Sequence, residues 1–381
     1  MSTSTATPTN VYESLGITPV INARGNNTVL GGSTPSARVR RAMQDVERYY
    51  VDMQQLLDRS GQVIAGLLNA EAAHVTPGAA AALALGSAAC IAGADLDKMA
   101  RLPDTSGMAN EILIQAGHRY HYERAATVPG GRLVEVGEKS GTTADQLRSA
   151  LGQNVAAVMF PAHLDGKPGT LSLAEVIAIA HERGVPVLVD AAGRVYPLDK
   201  FRSYARNGAD LVAFGAKYVG ALNASGILCG RKDLVDAAVQ HSFIGFETTA
   251  WEKGIGRPLK LDRQTIVAVV TALQEWLETD HDARLADYER RLKAMAAELN
   301  GAPGVTTDLV NGDGPAPRVL RLSFDPAGGR YDAATVLNKL WSGVPAIAVG
   351  RDGDAALTVN PVTLREEDDG VVASRLGELI L

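Results

Sequence analysis

Val185-Pro-Val-Leu-Val-Asp-Ala-Ala-Gly193, followed by Gly208-Ala-Asp-Leu-Val-Ala-Phe-Gly-Ala-Lys217, decides how this chain is read. Each segment is a continuous apolar run that ends in a polar group. Runs without alternation fit strands covered on both faces, which belong to parallel sheets flanked by helices. In open α/β sheets ligands bind outside the carboxyl ends of the strands. Asp190 and Lys217 are one strand–helix–strand unit apart, so they are expected to face a single crevice.

The same alternation extends outward from these two runs. Further strands are expected at Ala73–Val75, Glu111–Gln115, Arg132–Val136, Val155–Phe160 and Gly226–Cys229, with helices over Ala79–Ile91, Thr143–Leu151 and Ser172–Arg183. The last helix closes at Gly184, just before Pro186. Strand–helix repetition of this kind predicts a mostly parallel, seven-stranded sheet with helices on both faces. Beyond about Phe246 the pattern changes to two long amphipathic helices, Gln264–Leu277 and Asp282–Leu299. Then come strands at Arg318–Phe324, Ala346–Val349 and Ala356–Val359, a helix at Ala333–Trp341 and a terminal helix from Glu366. The expected organisation is an N-terminal arm (1–45), a large domain (46–262), and linking helices with a small α+β C-terminal domain (263–381).

Composition limits the function classes. The 381 residues are 46% hydrophobic and 21% charged, as in a globular protein of more than one core. A net charge of -6 without a basic tract offers no electrostatic footprint for nucleic acid, so no nucleic-acid partner is expected. Met1–Asn10 has neither a charged n-region nor an apolar core and reads as a frayed tail, not a signal peptide. The alanine-rich stretch Ala79–Ala94 is short and bounded by Pro77-Gly78 and Asp95, so it reads as a buried helix, with no membrane partner and a cytoplasmic location expected. Cys90 and Cys229 sit in apolar runs as free thiols of a reducing compartment, and no metal site is expected.

Three features carry chemistry. A lysine and a carboxylate converging at a sheet edge suit pyridoxal phosphate: the amine condenses with the aldehyde and the carboxylate keeps the pyridine nitrogen protonated. A structural ion pair at the sheet edge is the alternative for these two residues. Ala72–Leu83 reads as strand, glycine turn and helix, and backbone N–H groups at such a helix start form a phosphate site, although glycine–alanine starts also serve packing alone. Gly117-His-Arg119 follows strand Glu111–Gln115, so His118 is either a ring that stacks on a cofactor or an ordinary loop residue.

Taken together, Tyr12-Glu-Ser-Leu-Gly-Ile-Thr-Pro-Val-Ile-Asn-Ala-Arg-Gly25, Val75-Thr-Pro-Gly-Ala-Ala-Ala-Ala-Leu83, Val187-Leu-Val-Asp-Ala-Ala192 and Asp210-Leu-Val-Ala-Phe-Gly-Ala-Lys-Tyr218 resemble the selenocysteine-synthase-like family. These are fold-type I, aminotransferase-like pyridoxal-phosphate enzymes. They include seryl-tRNA selenium transferases and sugar-acid ammonia-lyases such as D-glucosaminate-6-phosphate ammonia-lyase. The resemblance runs from about Val11 to the C-terminus. It implies that Lys217 carries pyridoxal 5'-phosphate as a Schiff base, that Asp190 partners its ring nitrogen and that His118 stacks on the ring. It further implies that Gly78, Ala79 and Ala80, with Thr76, hold the phosphate. Arg24 and Asn26 in the arm, His163, and Arg351 with its bidentate guanidinium are the implied substrate contacts. Arg351 has the alternative of a solvated turn residue. Arg24, Arg119, Arg194 and Arg257 are candidates for a second anionic group. Relatives often carry a serine just before the lysine to bind phosphate, whereas this chain has Phe214-Gly-Ala-Lys217 and must rely on backbone N–H groups, on Thr76 or on the Ala221–Gly226 loop.

The implied reaction is α,β-elimination from a hydroxylated amino acid or amino sugar acid, giving a 2-oxo acid and ammonia. Lys217 is its base, and His121, Tyr122, His163 and Tyr218 are candidate proton donors. A racemase or epimerase needs the same carbanion and is the alternative. A tRNA-directed transferase is disfavoured by the acidic chain and by a match that begins at about residue 11. A non-catalytic relative is argued against by an intact Lys217 and Asp190. A homodimer or higher symmetric assembly is the family's implication.

Overall fold

The apolar runs quoted above form strands, and their register places the polar residues that follow them. The computed structural model describes residues 10–248, 254–312, 314–325, 328 and 330–381; of the tail expected over Met1–Asn10, the first nine residues lie outside these, and Asn10 caps the short helix Val11–Ser14. The chain divides into two compact units, Ser33–Glu278 and Met1–Gly32 with Thr279–Leu381. The first strand, β1 (Val20–Ala23), belongs to the smaller unit.

The larger unit holds β2 (Ala72–Thr76), β3 (Glu111–Gln115), β4 (Arg132–Val136), β5 (Val155–Pro161), β6 (Val187–Asp190), β7 (Leu211–Gly215) and β8 (Gly226–Gly230). They form one sheet in the order β2-β8-β7-β6-β5-β3-β4. β8 runs antiparallel to both neighbours, and the remaining pairings are parallel. This is the aminotransferase-like fold. Every residue of β5, β6, β7 and β8 is buried, which is why these strands read as unbroken apolar runs.

Local chemistry starts the helices. Thr143 with Gln146 and Ser172 with Glu175 form capping boxes that open Ala144–Ala150 and Leu173–His181. The alanine-rich helix Ala79–Ala92 is almost wholly buried, and its Ala82, Leu83, Leu85 and Ala89 cluster with Leu188, Leu211 and Leu228 of the sheet. Small side chains let it lie close over the strands, and among the described residues no helix is long and apolar enough to cross a membrane. At the amino ends of β6 and β7, buried Asp210 accepts from Val187 N and pairs with His181 and Arg231, all at 2.8 Å. This clamp pins the register that carries Asp190 and the Lys217 turn at the other end.

Helix Arg263–Glu278, read from the sequence as a linking helix, lies in the larger unit, packed on Ala37–Glu47 and Met53–Leu68. Its Trp276 donates Nε1–H to Val195 O at 3.0 Å, steadying the loop that follows Asp190. Both cysteines are free; Cys229 is buried and Cys90 half-buried.

The smaller unit adds β9 (Val305–Asn311), β10 (Arg318–Phe324), β11 (Ala346–Asp352) and β12 (Ala356–Val359), in the sheet order β1-β11-β12-β10-β9. In this sheet β1 and β11 pair in parallel, and the β11–β12, β12–β10 and β10–β9 pairings are antiparallel. Helices His281–Glu298 and Asp369–Ile380 cover this sheet, with Leu292, Met295, Leu322, Ile347, Val372 and Leu376 in its core. Buried Arg291 ties these helices together through Asp369 at 2.7 Å and Leu364 O at 2.8 Å.

Candidate active site

Strand register brings three polar features to one edge of the large sheet. Pro161 of β5 lies opposite Asp190 of β6, and Asp190 opposite Ala213 of β7. Across the other side, Thr76 of β2 and Gly215 of β7 both lie opposite Gly226 of β8. The turn bearing Lys217, the loop after Asp190 and the start of helix Ala79–Ala92 are therefore neighbours. Two backbone bonds lock the first two together, Ala191 N to Ala213 O at 3.0 Å and Gly215 N to Ala192 O at 2.9 Å.

Asp190 is buried. Ala192 N–H donates to its Oδ1 at 3.0 Å, and the Tyr120 hydroxyl donates to its Oδ2. Burial pushes the carboxyl's pKa up, against the opposing pull of these two donors. Lys217 is half-buried on the turn Ala216–Val219, and burial lowers its amine's pKa toward the neutral form. Its Nζ stands 5.3 Å from the centre of the Tyr218 ring.

The helix start is built for an anion. Gly78 adopts φ +102°, with open space where a side chain would stand, and no side chain caps the helix that begins at Ala79. Backbone N–H groups of its first turn are thus left for a ligand. Thr76 is buried and spends its hydroxyl on Gly78 O at 3.0 Å, so it shapes the turn. Gly226 presses on the same place: a Cβ there would lie 2.5 Å from Gly78 C and 2.8 Å from Ala79 N. Gly226→Ala is therefore expected to lower stability by about 1–3 kcal/mol, read as a fall in thermal unfolding midpoint. An unchanged midpoint would show that β8 and the helix start part freely.

His118 departs from its expected role. It is fully enclosed, edge-on to Phe160 at 5.0 Å, with Nδ1 beside Gln115 Nε2 at 3.2 Å and Nε2 beside Thr170 Oγ1 at 3.0 Å. An imidazole with both nitrogens engaged and no exposure has no face for a cofactor ring; it staples the loop around Thr170 to the end of β3. The aromatic group that reaches Asp190 is Tyr120, two residues on, which the sequence reading passed over. His163 is exposed on the turn after β5, its ring 5.1 Å from that of Tyr120. His121 and Tyr122 are exposed.

In the smaller unit, β1 and β11 run in parallel register, so Arg24 and Asn26 leave the sheet at the same edge as Arg351. Arg24 is exposed, Asn26 donates to Gly32 O at 3.1 Å, and Arg351 is held by Asp354 at 2.6 Å and Gly353 O at 2.9 Å. Arg119 is engaged by Glu123 and Glu135, Arg257 pairs with Glu247, and Arg194 reaches His163 O at 3.4 Å.

Comparison with known proteins gives the family. The sequence model of the L-seryl-tRNA selenium transferase family matches residues 20–300. The chain belongs to that family. Members of the L-seryl-tRNA selenium transferase family are pyridoxal-phosphate enzymes. The chain is 36% identical to a 5'-C-glycyluridine monooxygenase-decarboxylase of a Streptomyces species, over 99% of this chain and 94% of that protein. It is 29% identical to D-glucosaminate-6-phosphate ammonia lyase of Salmonella typhimurium, over 97% of this chain and 98% of the relative. A solved structure of D-glucosaminate-6-phosphate ammonia-lyase superposes with a TM-score of 0.84 at 28% identity, covering 98% of this chain and 99% of that one.

Proposed function

We propose that this chain uses pyridoxal phosphate to act at the α-carbon of an amino acid, and that its reaction is α,β-elimination from a hydroxylated amino acid or amino sugar acid. The observation that carries this reading is the convergence of Lys217, Asp190 and the uncapped helix start at Gly78 on one sheet edge. The residues fit the cofactor: a buried carboxylate for a protonated ring nitrogen, a half-buried amine for the aldehyde, and backbone N–H groups of Ala79 and Ala80 for the phosphate, the Gly78 N–H being spent on Thr76 O at 2.8 Å. When bound, pyridoxal phosphate supplies an electron sink for a carbanion at the substrate α-carbon.

The chain's own groups do the rest. Lys217 Nζ, biased toward neutrality by burial, takes up the α-proton. Asp190 would hold a negative charge for the ring nitrogen. His163, exposed beside Tyr120, is the proposed proton donor to the departing β-hydroxyl. With no serine before Lys217, phosphate binding falls to the helix-start amides.

A second reading, oxidative decarboxylation of an amino acid, is favoured by the 36% identity to the monooxygenase-decarboxylase. The test is a titration of purified protein with pyridoxal phosphate, followed by amino acids and amino sugar acids. A visible absorption band and ammonia released without oxygen uptake are expected. Oxygen consumption with carbon dioxide release would replace elimination by the second reading. Recovered amino acid of both hands bearing α-deuterium in D₂O would replace it by racemisation. No band at excess cofactor would overturn the cofactor assignment.

A further inference from the structure

We propose that Tyr120 is a positioning residue for Asp190, its hydroxyl holding the carboxylate ionised and oriented toward the cofactor's ring nitrogen. The proposal rests on the cofactor reading above, but its observations stand within the protein itself. Tyr120 leaves the loop after β3, yet β3 and β6 are separated by β5 in the sheet. To reach Asp190 Oδ2 its ring passes the carboxyl end of β5, where it meets the His163 ring edge-on at 5.1 Å.

The backbone there is built to hold it. Tyr120 N–H donates to Glu123 Oε2 at 3.0 Å. That glutamate is buried and gripped by Arg119, with Nε to Oε1 at 2.7 Å and Nε to Oε2 at 2.8 Å. A side chain so anchored makes its hydroxyl bond at little entropic cost. With Ala192 N–H on Oδ1, each carboxylate oxygen has one donor. Among the described residues Tyr120, the Ala192 N–H and His163 act on Asp190, and all three favour its ionised form, against burial. A charge-assisted bond from a phenol is strong because it lies in a site shielded from water.

The test is Tyr120→Phe, which keeps the ring and removes the hydroxyl. In cofactor-free protein, the carboxyl infrared band of Asp190, assigned by its loss in Asp190→Asn, is expected to appear at higher pH in Tyr120→Phe than in wild type. Tyr120→Leu, which removes the ring as well, should shift it in the same direction. In the loaded enzyme kcat should fall roughly tenfold with KM nearly unchanged, because one charged hydrogen bond is lost without loss of substrate contacts. A carboxyl titration that does not move in either variant, with wild-type unfolding midpoints, overturns the positioning role. A missing cofactor band in wild type would instead overturn the cofactor reading and leave the carboxyl titration as evidence for the Tyr120 bond.

Discussion

Lys217→Ala is expected to lower turnover by about four orders of magnitude or more, the scale on which loss of a covalent centre registers. The amine stands on a turn clamped by Gly215 N to Ala192 O and Ala216 N to Ser225 O at 3.0 Å, none of which uses its side chain. Removing it also removes a half-buried charge, so the unfolding midpoint should hold within about 2 °C. Borohydride reduction of the cofactor-loaded protein gives a direct check, fixing the cofactor to the peptide that contains Lys217 in wild type and to no peptide in the variant. Label on another lysine, or a variant that keeps wild-type turnover, would remove Lys217 from the chemistry.

Acid should unfold this protein well before its carboxylates are exhausted. Among the buried histidines, His74, His118 and His241 each have a pKa pushed down to about 4 by burial and stand in neutral form. His241 donates Nε2–H to Gly93 O at 3.0 Å, and its Nδ1 has no partner among the described residues, so a second proton there would be a buried, unmatched charge. The folded pKa lies below the unfolded value near 6.5, so the unfolded chain binds more protons between the two. Stability from these groups is complete above about pH 6.5 and lost as pH falls toward 4, by up to about 3 kcal/mol for each histidine. Denaturant midpoints measured from pH 7.5 to 4.5 check this. His74→Gln and His241→Gln, each compared with wild type, should flatten the slope. A flat profile in wild type would show that these rings take up protons without cost.

Much of the larger unit was legible because its chemistry is local. Strands covered on both faces must be largely apolar, so β5 to β8 stand out as runs, and capping boxes at Thr143 and Ser172 announce their helices. The smaller unit was less legible. β1 is four residues long and acquires its meaning from pairing with β11, more than three hundred residues later. β9 has no fully buried residue over Val305–Asn311, a weak signal that its antiparallel partner β10 makes into a strand.

The candidate site divides along the same line. Asp190, Lys217 and the Gly78 helix start follow from the sequence because each lies at the carboxyl end of a readable strand, and the sheet's topology alone gathers such ends at one edge. The fates of His118 and Tyr120 do not. Both sit in one short loop with aromatic rings, and nothing in their order says which is enclosed and which crosses β5 to Asp190. That choice is made by long-range packing: Phe160 and Thr170 close around the imidazole, while Arg119 and Glu123 brace the tyrosine. Sequence determined the strands, the sheet edge and the residues that end there, since those depend on burial patterns along the chain. Tertiary structure decided which neighbouring side chains face the carboxylate, since that depends on contacts between segments the chain does not place side by side.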